Sequence, residues 1–583
     1  MPDETFDAVI IGGGTKALFL AMYLIKYGGM SVGIFERRHE IGGCLATEEA
    51  AAPGFRGNTH ANVMVPVYHL ALWRDFPEVW DYGLQFDQYL CSSGGVFAHN
   101  YTCLSVYSEK FDPTQEKTAQ EIARFSENDA QTWLRLWNVM NGDEMQRVQI
   151  DGIYSHLDER ALDPKIAERQ IEVAGELMEA DLLPDDLILQ TSGIRLMREL
   201  FDTHEPQHCA LRWYLTTGMD VNEPGHGAFG LMIAAQLPIL SYTRGGTHQV
   251  AHAAHQVLVQ NGCNFFTHSE VEKVLIENGI ATGIRLSDGS EIKARKLVVG
   301  AGMNPSQLCF DLIGEEHIPA KLAKRVKLLE TDFGCLMWYT LALHEAPKYT
   351  AEEFNPDIHE TNWLAVGETA DPEHIARECK YLKMGMWPPL EDQCNIVTCH
   401  SLPDPSYAPP GKHVIQNEQV GLPATAYTEK EWMQKKKQYA DELLTVMQRH
   451  APNMTWDNVI GIDATTAYDC CRMKNLRPSG NMAGIDRPPY QLETGRPTPE
   501  LQNHRTPIKN LYATGGCWYP GANSSSIESY SCYKIIATDL GLEGKPWEEP
   551  GKEEPESLLE QLRSVPVKMR EQFRRDPQYA KST

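Results

Sequence analysis

Ala8-Val9-Ile10-Ile11-Gly12-Gly13-Gly14-Thr15-Lys16-Ala17, with Ser31 to Glu36 a short way on, is the stretch whose reading decides the fold. Its unbroken apolar run suits a parallel strand covered on both faces, and the glycines end it. Thr15 to Tyr27 is built from helix formers, with Leu18, Ala21, Met22 and Ile25 as its apolar positions, until Gly28-Gly29 stops it. Ser31 to Phe35 supplies a second strand, so residues 7–36 predict a βαβ unit. In Gly12-x-Gly14-x-x-Ala17 the first glycine makes the tight turn. The second lets a pyrophosphate approach the backbone at the positive end of the helix. Ala17 replaces the usual third glycine and still permits close helix–strand packing. Glu36, 24 residues after Gly12, ends the second strand, where a carboxylate can accept both ribose hydroxyl protons. Together these features predict dinucleotide binding.

The same pattern returns twice further along. Val271 to Ile276, Ala281 to Leu286 and Glu291 to Lys296, with turns at Glu277-Asn278-Gly279 and Ser287-Asp288-Gly289, predict a meander running into a buried strand at 297–299. Leu511 to Thr514 precedes Gly515-Gly516, and Ser526 to Leu540 reads as a helix. Between these pieces, about 100–230 and 305–455 are richer in long amphipathic helices, Trp, Met and Pro-punctuated loops. The predicted class is α/β. A Rossmann-like nucleotide domain is assembled from residues 1–100, 230–305 and 455–545, and a substrate domain is inserted as 101–229 and 306–454. Residues 546–583 form a charged tail read as solvated surface.

Length and composition bound the function. A chain of 583 residues with 42% apolar and 23% charged residues is an ordinary multi-domain globular protein, which excludes long disorder and collagen-like repeats. Lys and Arg number 53 against 79 Asp and Glu, a balance of −26 that repels polyanions, so nucleic acid is a poor partner. The acidic start Met1 to Asp7 lacks the features of a secretory signal, and no apolar stretch is long enough to span a bilayer. Fourteen Cys without a CxxC pair suit reduced thiols. These readings predict a cytoplasmic protein with at most peripheral membrane contact, and they leave oligomerisation open.

Glu36-Arg37-Arg38-His39-Glu40-Ile41-Gly42-Gly43-Cys44-Leu45-Ala46-Thr47 is followed by Pro53-Gly54-Phe55-Arg56, Arg244-Gly245-Gly246, Val299-Gly300-Ala301-Gly302, Arg496-Pro497, Gly515-Gly516 and Pro520-Gly521-Ala522. In this order the set resembles the phytoene desaturase-like branch of the amine oxidase superfamily, which includes carotenoid desaturases and isomerases and retinol saturase. The resemblance spans most of residues 5–545. It implies a three-layer ββα FAD-binding domain, an α+β substrate domain and FAD bound in extended form. Pyrophosphate would lie at Gly12, Gly14, Thr15 and Ala17, ribose at Glu36, and adenine near Val271. Arg37, Gly43, Cys44 and Gly302 would add cofactor contacts. Gly515, Gly516 and the helix opened by Ser526 and Ile527 would lie by the flavin ring, its dipole favouring charge on reduced flavin.

The chain departs from that pattern in two places. Cys44 stands where many relatives carry Arg. After Pro520-Gly521-Ala522 come Asn523-Ser524-Ser525-Ser526 instead of several glycines, which predicts a narrower, more polar pocket and a smaller substrate than a C40 carotenoid. Tyr519, Trp518 and His60 sit in motifs expected on the substrate side of the flavin and are the catalytic candidates, with plain packing as the alternative for each. His248, His252 and His255 share a helical face but are read as surface or core, and no metal is expected. Cys517 is read as a buried thiol, and Trp213, Tyr214 and Met232 as core. The activity expected is transfer of hydride from a C–C bond of a small apolar, cyclic or terpenoid-like substrate to flavin, or the reverse. Oxygen, a quinone or a carrier protein would take the electrons. Double-bond isomerisation, amine oxidation and a flavin-free prenyl-binding escort are the rival readings.

Overall fold

The computed structural model describes residues 5–155, 164–182 and 190–575; the end of the predicted tail, 576–583, lies outside them. The opening unit forms as its sequence dictates. Strand Thr5–Ile11 runs parallel to Val32–Phe35 (Ala8 beside Val32, Ile11 beside Phe35), with helix Thr15–Lys26 between them. On its other side Thr5–Ile11 pairs in parallel with Glu291–Ala301, Val9 beside Val298 and Ile11 beside Gly300. That long strand changes partner along its length. Gly283 to Arg285 lie antiparallel to its start, and Leu511–Thr514 runs parallel to its end. The whole sheet has seven strands, in the order 271–277, 280–286, 291–301, 5–11, 32–35, 264–266, with 511–514 also on 291–301. Helices Thr15–Lys26 and Ile527–Leu540 pack against one another, although the chain between them is most of the protein.

A second seven-stranded sheet has the order 459–465, 335–343, 413–421, 395–398, 361–367, 91–97, 102–107. Only 361–367 with 91–97 is parallel in it. The strands 91–97 and 459–465 fall in stretches assigned to the nucleotide domain, while 102–107 falls in the substrate stretch, so the sheets divide before residue 91 and after 465. The helix-rich reading of 305–455 also needs correcting. All nine residues of Cys335–Leu343 are buried, so the strand shows neither a helical period nor an alternation by which to recognise it.

The tail differs from its solvated reading as well. Helix Glu556–Arg575 buries Leu558, Leu559, Val565 and Met569 against the body. Ahead of it, Glu554 accepts from Lys534 Nζ at 2.8 Å and from Arg74 at 3.1 Å. Charged residues dominate the composition, yet Leu558, Leu559, Val565 and Met569 fall on one side of the helix, with Val567 left exposed. Among the described residues no helix is long and apolar enough to cross a membrane.

Candidate cofactor and substrate site

One cavity of about 550 Å³ runs between the two sheets. At one end it is lined by Gly12, Gly14, Thr15, Lys16, Ala17, Glu36, Arg37, Gly43, Cys44, Val271 and Gly302. Gly12 has φ +94°, and a Cβ there would sit 2.8 Å from the Ala301 carbonyl oxygen, so only glycine makes this turn. Gly14 and Gly43 bring two backbone segments together, since a Cβ on Gly43 would lie 3.0 Å from Gly14 Cα. The Glu36 carboxylate accepts from Gly13 N–H at 2.7 Å and Arg38 N–H at 2.8 Å, which fixes it at the cavity edge. Arg37 and Arg38 also donate to the carbonyls of Arg472 and Met473, at 2.8 and 2.9 Å.

Lys474 lines this end too, and the sequence reading missed it. Its side chain is 2% exposed, and its nearest carboxylate, Glu48, is 3.9 Å away. Burial pushes the Cys44 thiol up, opposed by the charges of Lys474 and Arg38. A cation held beside Cys44 therefore comes from the far end of the chain, where the resemblance leads one to look for an Arg at position 44. Glycine approach, a ribose-height carboxylate and a buried cation fit the diphosphate and ribose of a dinucleotide.

Toward the other end, Gly516, Cys517, Pro520, Gly521, Ala522, Ser524 and Ile527 line the wall. Gly302 N–H donates to Thr514 O at 2.7 Å, holding the Gly515 turn beside the strand end. Ser526 caps the helix opened by Ile527 and donates through Oγ to Tyr68 O at 3.0 Å. Lys16 reaches from the first helix to this one. It pairs with the fully buried Glu528 and donates to Ser525 Oγ at 2.7 Å. Burial lowers the Lys16 pKa, and the Glu528 charge opposes the shift.

Arg496, wholly buried, donates to the carbonyl oxygen of Gly516 at 2.6 Å and to that of Ala483 at 3.3 Å. Burial and the neighbouring Arg487 bring it down to about 9. Arg487 lines the cavity and donates to Gly521 O at 2.7 Å. Burial holds the Cys517 thiol up at about 12, so it is a protonated thiol.

The catalytic candidates separate. His60 lines the cavity, its ring 5.0 Å from that of Trp338, and burial holds its imidazole neutral, well below the usual range. Tyr519 does not line the cavity. Its hydroxyl donates at 2.6 Å to the carbonyl of Gly152, a helix residue that does. Trp518 is fully buried in the core around Val9, Phe35 and Val298. The expectation that these two rings face the substrate is therefore corrected: the turn after Gly515-Gly516 sends both side chains behind the wall.

Trp213 and Met232, read as core, are wall residues, together with Met219, Phe229, Ile233, Leu336 and Trp338. Tyr214 is core. Glu418 is a further missed residue. It lies directly across the strand pair from Trp338 and lines the same wall, and burial raises its carboxyl to about 7.

This geometry defines a Rossmann-type nucleotide site opening into an apolar chamber. A family profile described as "NAD(P)-binding Rossmann-like domain" matches residues 10–82. The chain is 24% identical to one of the subunits of limonene dehydrogenase from Castellaniella defragrans, over 93% of its own length and 96% of that protein's. It is 26% identical to prolycopene isomerase 1 of an Oncidium hybrid, over 52% of this chain and 48% of the relative. Among solved structures, cyclohexylamine oxidase of Brevibacterium oxydans has the same fold, with TM-score 0.53, 14% identity and coverage of 93% of this chain and all of that one. The resemblance to the phytoene desaturase-like branch of the amine oxidase superfamily, drawn from the motifs, holds.

Proposed function

We propose that this chain is an FAD-dependent oxidoreductase that removes hydrogen from a carbon–carbon bond of a small apolar substrate of cyclic or terpenoid type. The observation that carries the reading is the single cavity joining the Gly12–Glu36 turn to a chamber walled by Trp213, Met219, Phe229, Met232, Leu336 and Trp338. Its apolar wall suits a hydrocarbon, and the similarity to a limonene dehydrogenase component over nearly the whole chain supports a cyclic terpenoid. Bound FAD supplies a two-electron hydride acceptor.

The protein's own residues do the rest. Gly14 and Gly43 admit the diphosphate to backbone N–H groups, Glu36 takes the ribose hydroxyls, and Lys474 and the first helix offset phosphate charge. Lys16, Arg487 and Arg496 brace the turns at the other end, where the helix from Ile527 directs its positive end to the cavity. The apolar walls hold the substrate and keep water from it.

The test is to denature the purified yellow protein and identify the nucleotide released. FAD supports the reading; FMN, NAD or no nucleotide refutes it.

A further inference from the structure

Several buried ionisable groups among the described residues are matched. Lys16 is paired with Glu528, Arg212 with Glu378, and Lys110 with Asp87. His208 and His374 share a hydrogen bond of 3.2 Å, and Asp486 accepts from Phe333 N–H at 2.9 Å and Asn481 Nδ2 at 2.7 Å. Of the carboxylates that line the cavity, Glu36, Glu40 and Glu270 lie around the dinucleotide end, and Glu493 is exposed. Glu418 remains.

It is 9% exposed and makes no ion pair among the described residues. Its place in the strand His413–Gly421 puts it on the same face as Gln416, whose Nε2 donates to His60 O at 3.1 Å, and His60 itself lines the cavity. Trp338 is its partner across one neighbouring strand and Ile396 across the other. The charge that faces it is Arg212, held by Glu378; His60, beyond Trp338, is neutral. A carboxyl without a counter-ion, set in an apolar substrate wall, is costly to ionise, so its presence there asks for a chemical purpose.

We infer that Glu418 is the group that takes the proton lost from the substrate. The inference rests on the redox reading proposed above. One C–H bond of the substrate gives hydride, with both its electrons, to the oxidised flavin dinucleotide. The C–H bond on the adjacent carbon gives its proton to a carboxylate oxygen of Glu418, and the electron pair left behind becomes the new C=C π bond. Glu418 then passes the proton to water when product leaves. Burial sets this carboxyl near neutrality, about 7, where a base can both accept and release a proton. Tyr519 is not among the residues that line the chamber, and its hydroxyl donates to Gly152 O.

The test compares Glu418→Gln and Glu418→Asp with wild type as FAD-loaded proteins. Each is mixed anaerobically with a panel of cyclic terpenes, linear polyenes and amines between pH 5 and 9. Wild-type flavin bleaching by a terpene is expected to quicken with pH through an inflection near 7. The Gln variant is expected to keep its FAD, lose the inflection and bleach about ten- to ten-thousandfold more slowly at pH 8. The Asp variant recovers part of the rate and retains an inflection. An independent readout is the melting of the flavin-free proteins: the Gln variant melts above wild type at pH 8, and the gap closes at pH 5, because only wild type then gains from protonating the buried carboxyl. A Gln variant that bleaches at the wild-type rate with the inflection intact overturns the inference and leaves the redox reading standing. A wild type bleached only by amines, with the Gln change confined to KM, overturns it by making Glu418 a charge partner. A wild type bleached by nothing in the panel overturns both.

Discussion

Gly14→Val separates cofactor binding from folding. Gly14 caps the first helix at φ −70° and ψ 168°, a conformation open to any residue. A Cβ placed there meets nothing closer than Gly43 Cα at 3.8 Å, an ordinary contact. The flavin-free protein should therefore fold, at a cost of about 1 kcal/mol for a poorer helix cap. The new side chain stands where the diphosphate must approach the backbone. Loss of one or two charge-assisted hydrogen bonds, at about 1.5–3 kcal/mol each, weakens FAD binding by about 1.5–6 kcal/mol, or roughly 10- to 20,000-fold. FAD titrated into the flavin-free protein, followed by fluorescence quenching, measures the affinity, and circular dichroism melting measures the fold. Gly12→Ala is the contrast, because its positive φ and the 2.8 Å approach to Ala301 O damage the fold before any cofactor is added. A folded Gly14→Val protein that binds FAD as tightly as wild type refutes the placement of the diphosphate.

Lys16→Met should cost about 3–5 kcal/mol by leaving Glu528 buried without its counter-charge, and denaturant melts should show most of that recovered in Lys16→Met/Glu528→Gln. Lys474→Met should weaken FAD binding about 10- to 150-fold, the loss of one charge-assisted contact, and should flatten the salt dependence of the titration. Burial raises the Glu418 and Asp486 carboxyls above their unfolded values, each to about 7. The stability each adds is complete below its unfolded pKa and is lost as pH rises through 7. Each group should therefore take on the order of 3 kcal/mol from the flavin-free protein between pH 5 and 8, read as the difference in denaturant midpoints between wild type and Glu418→Gln or Asp486→Asn, because the buried histidines, held neutral below their usual range, move the total the other way. A wild-type-minus-variant difference that stays flat over the same interval contradicts the burial of the group replaced.

What was legible in the sequence was local. The strand, glycine turn, helix and terminal Glu36 lie within one short segment, and the meander from Val271 is marked by its own Asn-Gly and Asp-Gly turns. The mixed sheet was not legible as a sheet, because strands such as Cys335–Leu343 are buried throughout and pair with partners distant in the chain. The Lys16–Glu528 link joins residues at opposite ends of the nucleotide domain, and no spacing rule finds it. Glu418 is one acid among amides in Gln416-Asn417-Glu418-Gln419, and only the fold shows that it faces a cavity. Tyr519 shows the opposite error. Its motif adjoins the cavity, but the turn directs its hydroxyl to a helix carbonyl that local sequence could not reveal.

The central claim is hydride removal from a carbon–carbon bond by bound flavin, and anaerobic mixing of the FAD-loaded protein with cyclic terpenes and with amines tests it most directly. The account predicts that a terpene bleaches the flavin and is recovered with two fewer hydrogens by mass. Bleaching by amines alone, or recovery of the terpene as an isomer of unchanged mass, contradicts it.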